Sequence, residues 1–385
     1  MAPNHYNYII SGAGCAGLSL LMRMMDDPFF AEKKILVIDQ SQKNKNDRTW
    51  CFWEDGKGLF NDIVHHQWEQ VHFYSPNFHK KLELHPYQYK MIQGLDFYEA
   101  VIEKAAQFSN ITFRYETILG IQSSVEKAEL QLNNEILSAD YVFNSIVFEK
   151  DKPQPSPHLY QLKQHFKGWV IETEAACFDA SVATLMDFRT SQTHGTSFFY
   201  VMPTSTTTAL VEYTLFSEAL LPEENYDHAL KNYIQETLGI AAYQITHTEF
   251  GEIPMTNQRF SLQDQRIIQM GVAGGQVKGS SGYAFQFIQK RTAAIVAGLK
   301  AGKTKFNELS FAQKKGQLYD AVLLQVLQYR RMPGDQIFSA IFSKNKTASV
   351  LRFLDNESSF LEDLKIMYSV PTNIFLPAAF KELSH

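Results

Sequence analysis

The first residues in the chain whose types and spacing could do chemistry are Gly12, Gly14 and Gly17, in Ser11-Gly12-Ala13-Gly14-Cys15-Ala16-Gly17. They follow β-prone residues from Tyr6 to Ile10 and precede a helix-like apolar run from Leu18 to Met25. Glycines at that spacing suit a dinucleotide. The first permits a tight turn out of a strand, the second lets backbone approach a pyrophosphate, and the third lets helix and sheet pack closely. The helix N-terminus then offers free N–H groups and the positive end of its dipole to the phosphates. A second strand, Lys34 to Asp39, ends in an acid 22 residues after Gly17, placed to take ribose hydroxyls.

A different chemistry attaches to Glu212, the only carboxylate between Arg189 and Glu218, within Ala209-Leu210-Val211-Glu212-Tyr213-Thr214-Leu215-Phe216. With a period of two it shares a face with Leu210, Thr214 and Phe216. An acid so flanked is either ion-paired inside a core or lines an apolar cavity. In a cavity, burial raises its pKa toward the ~6–7 of a working general acid.

A second glycine-rich stretch, Gly271 to Phe285, follows a strand and precedes a helix, and includes Gly274, Gly275, Gly279 and Gly282. So many glycines imply close approach of backbone to a ligand or another segment. A second helix N-terminus offered to one extended cofactor is characteristic of FAD enzymes. The aromatic cluster Arg48-Thr49-Trp50-Cys51-Phe52-Trp53 is either a packing plug or a cavity wall with Arg48 near the phosphates.

The elements that must position these residues are read from composition and pattern. The chain of 385 residues suits two closely joined domains. Its charge, 36 basic against 41 acidic residues, gives no global basic field for nucleic acid. Charge is nonetheless uneven, with 12 Lys/Arg and 3 acids between Gln286 and Arg352. Cys15, Cys51 and Cys177 lack disulfide or metal spacing, which suits a reduced compartment. Tyr8 to Met22 has no preceding Lys or Arg and reads as strand–turn–helix, not a targeting segment. No uninterrupted apolar run approaches the ~18 residues of a membrane span.

Residues 1–150 are expected to form the first part of a dinucleotide-binding domain with a small inserted β segment. A stiff connector holding Pro153, Pro155 and Pro157 marks the boundary. Residues 151–260 then read as an antiparallel-sheet substrate domain, with strands at 168–174, 183–189, 197–202, 209–216 and 243–249. Residues 261–300 return to the first domain, and 301–385 are helical.

Seven stretches in order resemble the bacterial-type lycopene β-cyclase family: Gly12–Gly17, Asp47–Trp53, Leu185–Arg189, Phe199–Pro203, Leu210–Thr214, Ile253-Pro254-Met255 and Gly274–Phe285. The resemblance implies an α/β fold: a glutathione-reductase-type FAD-binding Rossmann domain, an antiparallel β-sheet substrate domain and a helical C-terminal region. It implies FAD, active in its reduced form with NAD(P)H as external reductant, held by Gly12, Gly14, Gly17, Asp39, Arg48, Gly274, Gly275 and Gly282. It further implies Glu212 as the catalytic acid in redox-neutral cyclisation of lycopene and related linear carotenoids, one end and then the other. Either Glu249 or Glu252, both preceding Ile253, would assist. Phe198, Phe199, Tyr200, Phe216, Trp50 and Trp53 are expected walls of the channel. No metal is expected, and oligomeric state is left open. A cytoplasmic protein at the inner face of the membrane is expected, the apolar run Leu318–Leu327 and Ile337, Phe338, Ile341 and Phe342 touching lipid. The competing readings are a flavin monooxygenase or prenyl-chain reductase of the same fold, and a carotenoid-binding flavoprotein without catalysis.

Overall fold

The computed structural model describes residues 5–149, 156 and 158–384; Pro153, Pro155 and Pro157 lie outside them. The chain opens with β1 (His5–Ser11), α1 (Cys15–Met25) and β2 (Ile35–Asp39), the strand–turn–helix–strand unit that the glycine spacing predicts. Every residue of β2 is buried, as its unbroken apolar run requires of a strand covered on both faces. There follow β3 (Thr49–Asp55), β4 (His66–Trp68), β5 (Gln70–Ser75), β6 (Phe78–Glu83), β7 (Tyr87–Gln93) and α2 (Gly94–Ala105). Then come β8 (Ile111–Tyr115), β9 (Gly120–Ser123), β10 (Ala128–Gln131) and β11 (Ile136–Asn144).

The next stretch supplies β12 (Gln161–Glu172), β13 (Val182–Asp187), β14 (Thr196–Pro203), β15 (Thr208–Ser217), α3 (Glu223–Asn232) and β16 (Gln244–Thr256). Two short strands, β17 (Gln263–Asp264) and β18 (Ile267–Gln269), lead through the second glycine stretch into α4 (Phe285–Lys300). The remainder is helical: α5 (Phe311–Gln328), α6 (Gly334–Lys344), α7 (Thr347–Leu354), α8 (Phe360–Ser369) and α9 (Thr372–Leu383).

Three sheets result. In the first, β18, β11, β1, β2 and β8 run parallel, with β9 and β10 hairpinned onto β11 and β17 onto β18. Helices α1 and α4 pack together against it, joined by the Gln289 amide donating to Ser19 Oγ at 2.8 Å. The second has the order β16-β12-β15-β14-β13-β5-β6 and is antiparallel except where β13 meets β5. Its last two strands come from within residues 1–150, so this sheet draws on both halves of the chain. A small sheet of β3, β7 and β4 sits between.

Strand β12 starts at Gln161, well before the expected Gly168. Lys163, His165 and Lys167 disguise it in the sequence, but two of these polar residues are buried and satisfied on the α3 side. Lys167 pairs with Glu223 at 2.7 Å and Asp227 at 2.6 Å. His165 bonds Ser217 and Tyr226, each at 2.6 Å, and burial holds its imidazole down at about 4, so it is a neutral spacer.

Alternation divides the second sheet's residues cleanly. Phe198, Tyr200, Met202, Leu210 and Phe216 join a core that includes Val322, Leu324, Ile337 and Phe338 of the C-terminal helices. Trp169, Phe199, Val211 and Tyr213 pack beneath α3. Phe199, expected as a channel wall, therefore faces away and stacks on Tyr233 with ring centroids 3.8 Å apart. The run Leu318–Leu327 is also relocated: Val322, Leu324, Val326 and Leu327 are buried, as are Ile337, Phe338 and Phe342. Large exposed apolar residues here include Phe311 at the start of α5, Phe360, Leu361, Met367 and Tyr368 of α8, and Leu376, Phe380 and Leu383 of α9. No helix among the described residues is long and apolar enough to cross a membrane.

Candidate active site

A cavity of about 440 Å³ runs from the first glycine turn to the floor of the second sheet. Gly12, Gly14 and Asp39 stand at the first glycine turn and Glu212 and Glu249 at the second sheet, with Arg48, Gly282, Tyr283 and Phe285 along the way. Helices α1 and α4 both begin at this cavity without a side-chain cap or an acid in the first turn. Two uncapped positive helix ends facing one space suit an elongated, anionic ligand.

The glycines divide by what a side chain would meet. At Gly14 a Cβ would point into open space, leaving room for a ligand against bare backbone. At Gly17 a Cβ would come within 2.0 Å of the Gly12 carbonyl oxygen, so this glycine serves helix–strand packing. Gly12 lies at φ +98 and Gly282 at φ +71, both in left-handed territory, and both line the cavity. Gly274 and Gly275 are not in its wall. Their Cβ positions are closed by the Gln269 carbonyl and the Phe260 ring, each 2.6 Å away, so they shape the loop behind. Asp39 accepts the Ala13 N–H at 2.8 Å and the Ser41 N–H at 3.1 Å, with Lys43 at 3.2 Å. Gln164 presents a buried, unpartnered side-chain oxygen beside Gly282. The bare backbone at Gly14, the two helix ends and this orphan acceptor fit a dinucleotide cofactor.

At the far end, strand register makes the chemistry. Gly168, in the middle of β12, lies opposite Glu212 on β15 and opposite Glu249 on β16. The two carboxyls lean over the glycine from both sides and hydrogen-bond to each other. Thr214 donates to Glu212 Oε1 at 2.7 Å, and Thr49 bonds Glu249. Among the described residues no cation forms an ion pair with Glu212, and Arg48 acts on Glu249 only at longer range. Burial above all, and then the neighbouring carboxylate, push Glu212 well above the usual carboxylate range. Burial also raises Glu249, against the Thr49 bond and Arg48. Two acids so close in a poorly solvated site disfavour ionising together, so the pair titrates as a unit with both carboxyls raised. Glu252, three residues on, points to the other face, is exposed and pairs with Lys163 at 2.8 Å. Register therefore selects Glu249 as the partner of Glu212.

The surroundings are aromatic and neutral. Tyr89, Tyr200 and Cys51 are all pushed well above their usual ranges by burial, and Tyr283 up to about 12. The Tyr200 and Tyr283 hydroxyls are 3.5 Å apart. Of the expected walls, Trp50 and Tyr200 line the cavity. Trp53 stands behind it, edge-on to Tyr283 at 4.6 Å, its indole N–H donating to Asp355 at 2.8 Å. Asp355 is itself pushed up to about 6, mainly by burial. Tyr89, Gln164, Phe166 and Met202 also line it, beyond the expected walls.

A family model described as "Lycopene cyclase protein" matches residues 7–379. No curated protein matches the chain in sequence. Among solved structures, a geranylgeranyl bacteriochlorophyll reductase-like protein from Thermoplasma acidophilum aligns at TM-score 0.66 and 13% identity, over 99% of both chains. A flavoprotein/dehydrogenase from Cytophaga hutchinsonii aligns at 0.63 and 10%, again over 99% of both. PqsL, a probable FAD-dependent monooxygenase from Pseudomonas aeruginosa, aligns at 0.58 and 13%, over 85% of this chain and 98% of that one. At such identities the likeness shows a shared fold: the α/β architecture of FAD-dependent flavoproteins, as expected.

Proposed function

The chain belongs to the lycopene cyclase protein family, and on that premise we propose that it is a lycopene β-cyclase, closing the linear ends of lycopene into β-ionone rings. The observation that carries this reading is the Glu212–Glu249 pair: a buried and a half-buried carboxyl, coupled to each other and both raised, in a largely aromatic cavity continuous with a dinucleotide-type site. Glu212 donates its proton to a terminal double bond. The polyene attacks the resulting tertiary cation and a C–C bond closes. A ring proton then returns to the pair, which ends with the one proton it began with, and no electrons are transferred.

Three parts of the cavity support these steps. The Thr214 hydroxyl fixes Glu212. Tyr89, Tyr200 and Tyr283, which lie beside the pair, offer electron density to a cation, worth ~0.5–2 kcal/mol for each well-placed ring. The buried apolar lining excludes water, which would otherwise trap the cation as an alcohol. FAD is the cofactor that Gly12, Gly14, Asp39, Arg48 and Gly282 would hold, and in its reduced form it supplies negative charge beside the cation. NAD(P)H serves only to keep it reduced.

The substrate is a lipid, so the reading includes a cytoplasmic protein resting on the inner face of the membrane. What supports this is the exposed apolar surface of α8 and α9, together with Lys303, Lys305, Arg330 and Arg331 elsewhere in the basic region. The deciding experiment is expression in lycopene-accumulating cells with separation of the pigments. Cyclic products with no sustained NAD(P)H consumption support the cyclase. Saturated or oxygenated products with stoichiometric consumption would instead indicate a reductase or monooxygenase, and unchanged lycopene a binding protein.

A further inference from the structure

We infer that Gly168 is a positioning residue, a side-chain-free window in the sheet through which Glu212 and Glu249 meet. This rests on the proposed acid role of Glu212 and extends it to a residue that never touches substrate.

Neighbouring strands lie about 4.8 Å apart, so residues on the two strands flanking a third are separated by roughly 10 Å. Glutamates on β15 and β16 can bridge that gap only by leaning over β12, and only if the position between them is bare. Register puts Gly168 in that position, opposite both acids. A Cβ there would lie 3.1 Å from Glu249 Cγ, 3.3 Å from Glu249 Oε1 and 3.0 Å from Leu210 Cδ1. The methyl of alanine would press on the Glu249 side chain itself, and a branched residue would stand between the two carboxyls. Glycine is otherwise unfavourable in mid-strand, and the neighbouring Trp169, Val170 and Ile171 are strand formers. Its conformational freedom is not what is needed, since it is not among the positive-φ residues. What the site uses is the missing side chain.

Other groups face the pair: Arg48 ahead of β3, Cys51 on β3, Tyr89 on β7, Tyr200 on β14 and Tyr283 after the second glycine loop. None of these lies between the carboxyls, so none substitutes for the window.

The test is an infrared titration of the full-length protein, following the carbonyl stretch of protonated carboxyl groups. Glu212→Gln and Glu249→Gln assign the bands. In the wild type the pair should titrate in two steps separated by more than about 1 pK unit. Gly168→Ala should narrow that separation and Gly168→Val should abolish it, each carboxyl then titrating alone. Should the valine variant fail to fold, the alanine variant decides. An unchanged separation in a folded Gly168 variant overturns the window while leaving the acid role of Glu212 intact. A wild type with no protonated carboxyl at neutral pH that Glu212→Gln removes would overturn both. Gly251→Ala, whose Cβ would meet the Phe166 ring at 2.2 Å, is the control for generic strand distortion and should leave both steps in place.

Discussion

Glu212 combines an unfavourable position with a use for it. Its carboxyl is raised in the folded chain relative to the unfolded one, so folding is favoured by the proton it holds. That contribution is complete below the ordinary carboxylate range and is lost as pH rises through the folded value. The same proton is the proposed catalyst, so cyclisation should decline on the alkaline side, with a midpoint far above that of an ordinary glutamate. A pH–rate profile on reduced enzyme checks this; a limb centred near pH ~4 would contradict the pair. Glu212→Gln keeps the shape and removes the proton, and should cut ring formation by at least ~10³-fold while the flavin stays bound. Glu249→Gln relieves a buried negative charge. Thermal unfolding should show it more stable than wild type by ~1 kcal/mol or more near neutrality, with the gain growing as pH rises. A loss of stability in that variant would mean that the carboxyls are not competing for one proton. Glu212 was legible in the sequence because it is alone in an apolar strand. Glu249 and Glu252 were not separable there, because the choice depends on which of them sits opposite Gly168.

The elements show the same division between visible and hidden. The turn from β1 into α1 was readable from spacing alone, since each glycine answers a local steric demand. Two substitutions separate those demands. Gly17→Ala drives a methyl into the Gly12 carbonyl and should destabilise the fold itself by about 3 kcal/mol, measured on cofactor-free protein. Gly14→Ala meets no protein atom within 4 Å, so unfolding of the cofactor-free chain should be unchanged while flavin affinity falls at least tenfold. Equal effects in both measurements would remove the distinction between packing and cradle. By contrast, β12 was read too short, because His165 and Lys167 look like surface residues. Each finds its partners on α3 or its approach, a tertiary arrangement that no strand periodicity announces. Phe199 was misplaced because an aromatic run was treated as one wall, whereas alternation sends adjacent residues to opposite faces.

At the scale of the molecule, the C-terminal helices were legible as helices but not by face. Leu324 and Val326 belong to the core, whereas Phe380, 65% exposed, and Leu383, 66% exposed, do not. Much of the basic region is engaged at home: Lys290 with Glu357, Lys300 with Asp27, Lys315 with Asp363 and Arg352 with Glu362. The proposed membrane attachment through α8 and α9 should therefore be mainly apolar. Phe380→Asp combined with Leu383→Asp should reduce sedimentation with anionic vesicles at least tenfold, and raising the salt for the wild type should reduce it less than that. Salt-labile binding that ignores the double substitution would transfer the role to the basic residues.

The Glu212–Glu249 pair also has a consequence for the order in which products form. In the proposed reaction the substrate has two identical ends, and the described residues hold one such pair, at the second-sheet end of the cavity. After the first closure the molecule has to withdraw, reverse and enter again, while a fresh lycopene competes for the same entrance. On the proposed function the single-ring compound would thus leave the cavity between turnovers. With substrate in excess it should accumulate first, and the two-ring product should dominate only once untouched lycopene is scarce.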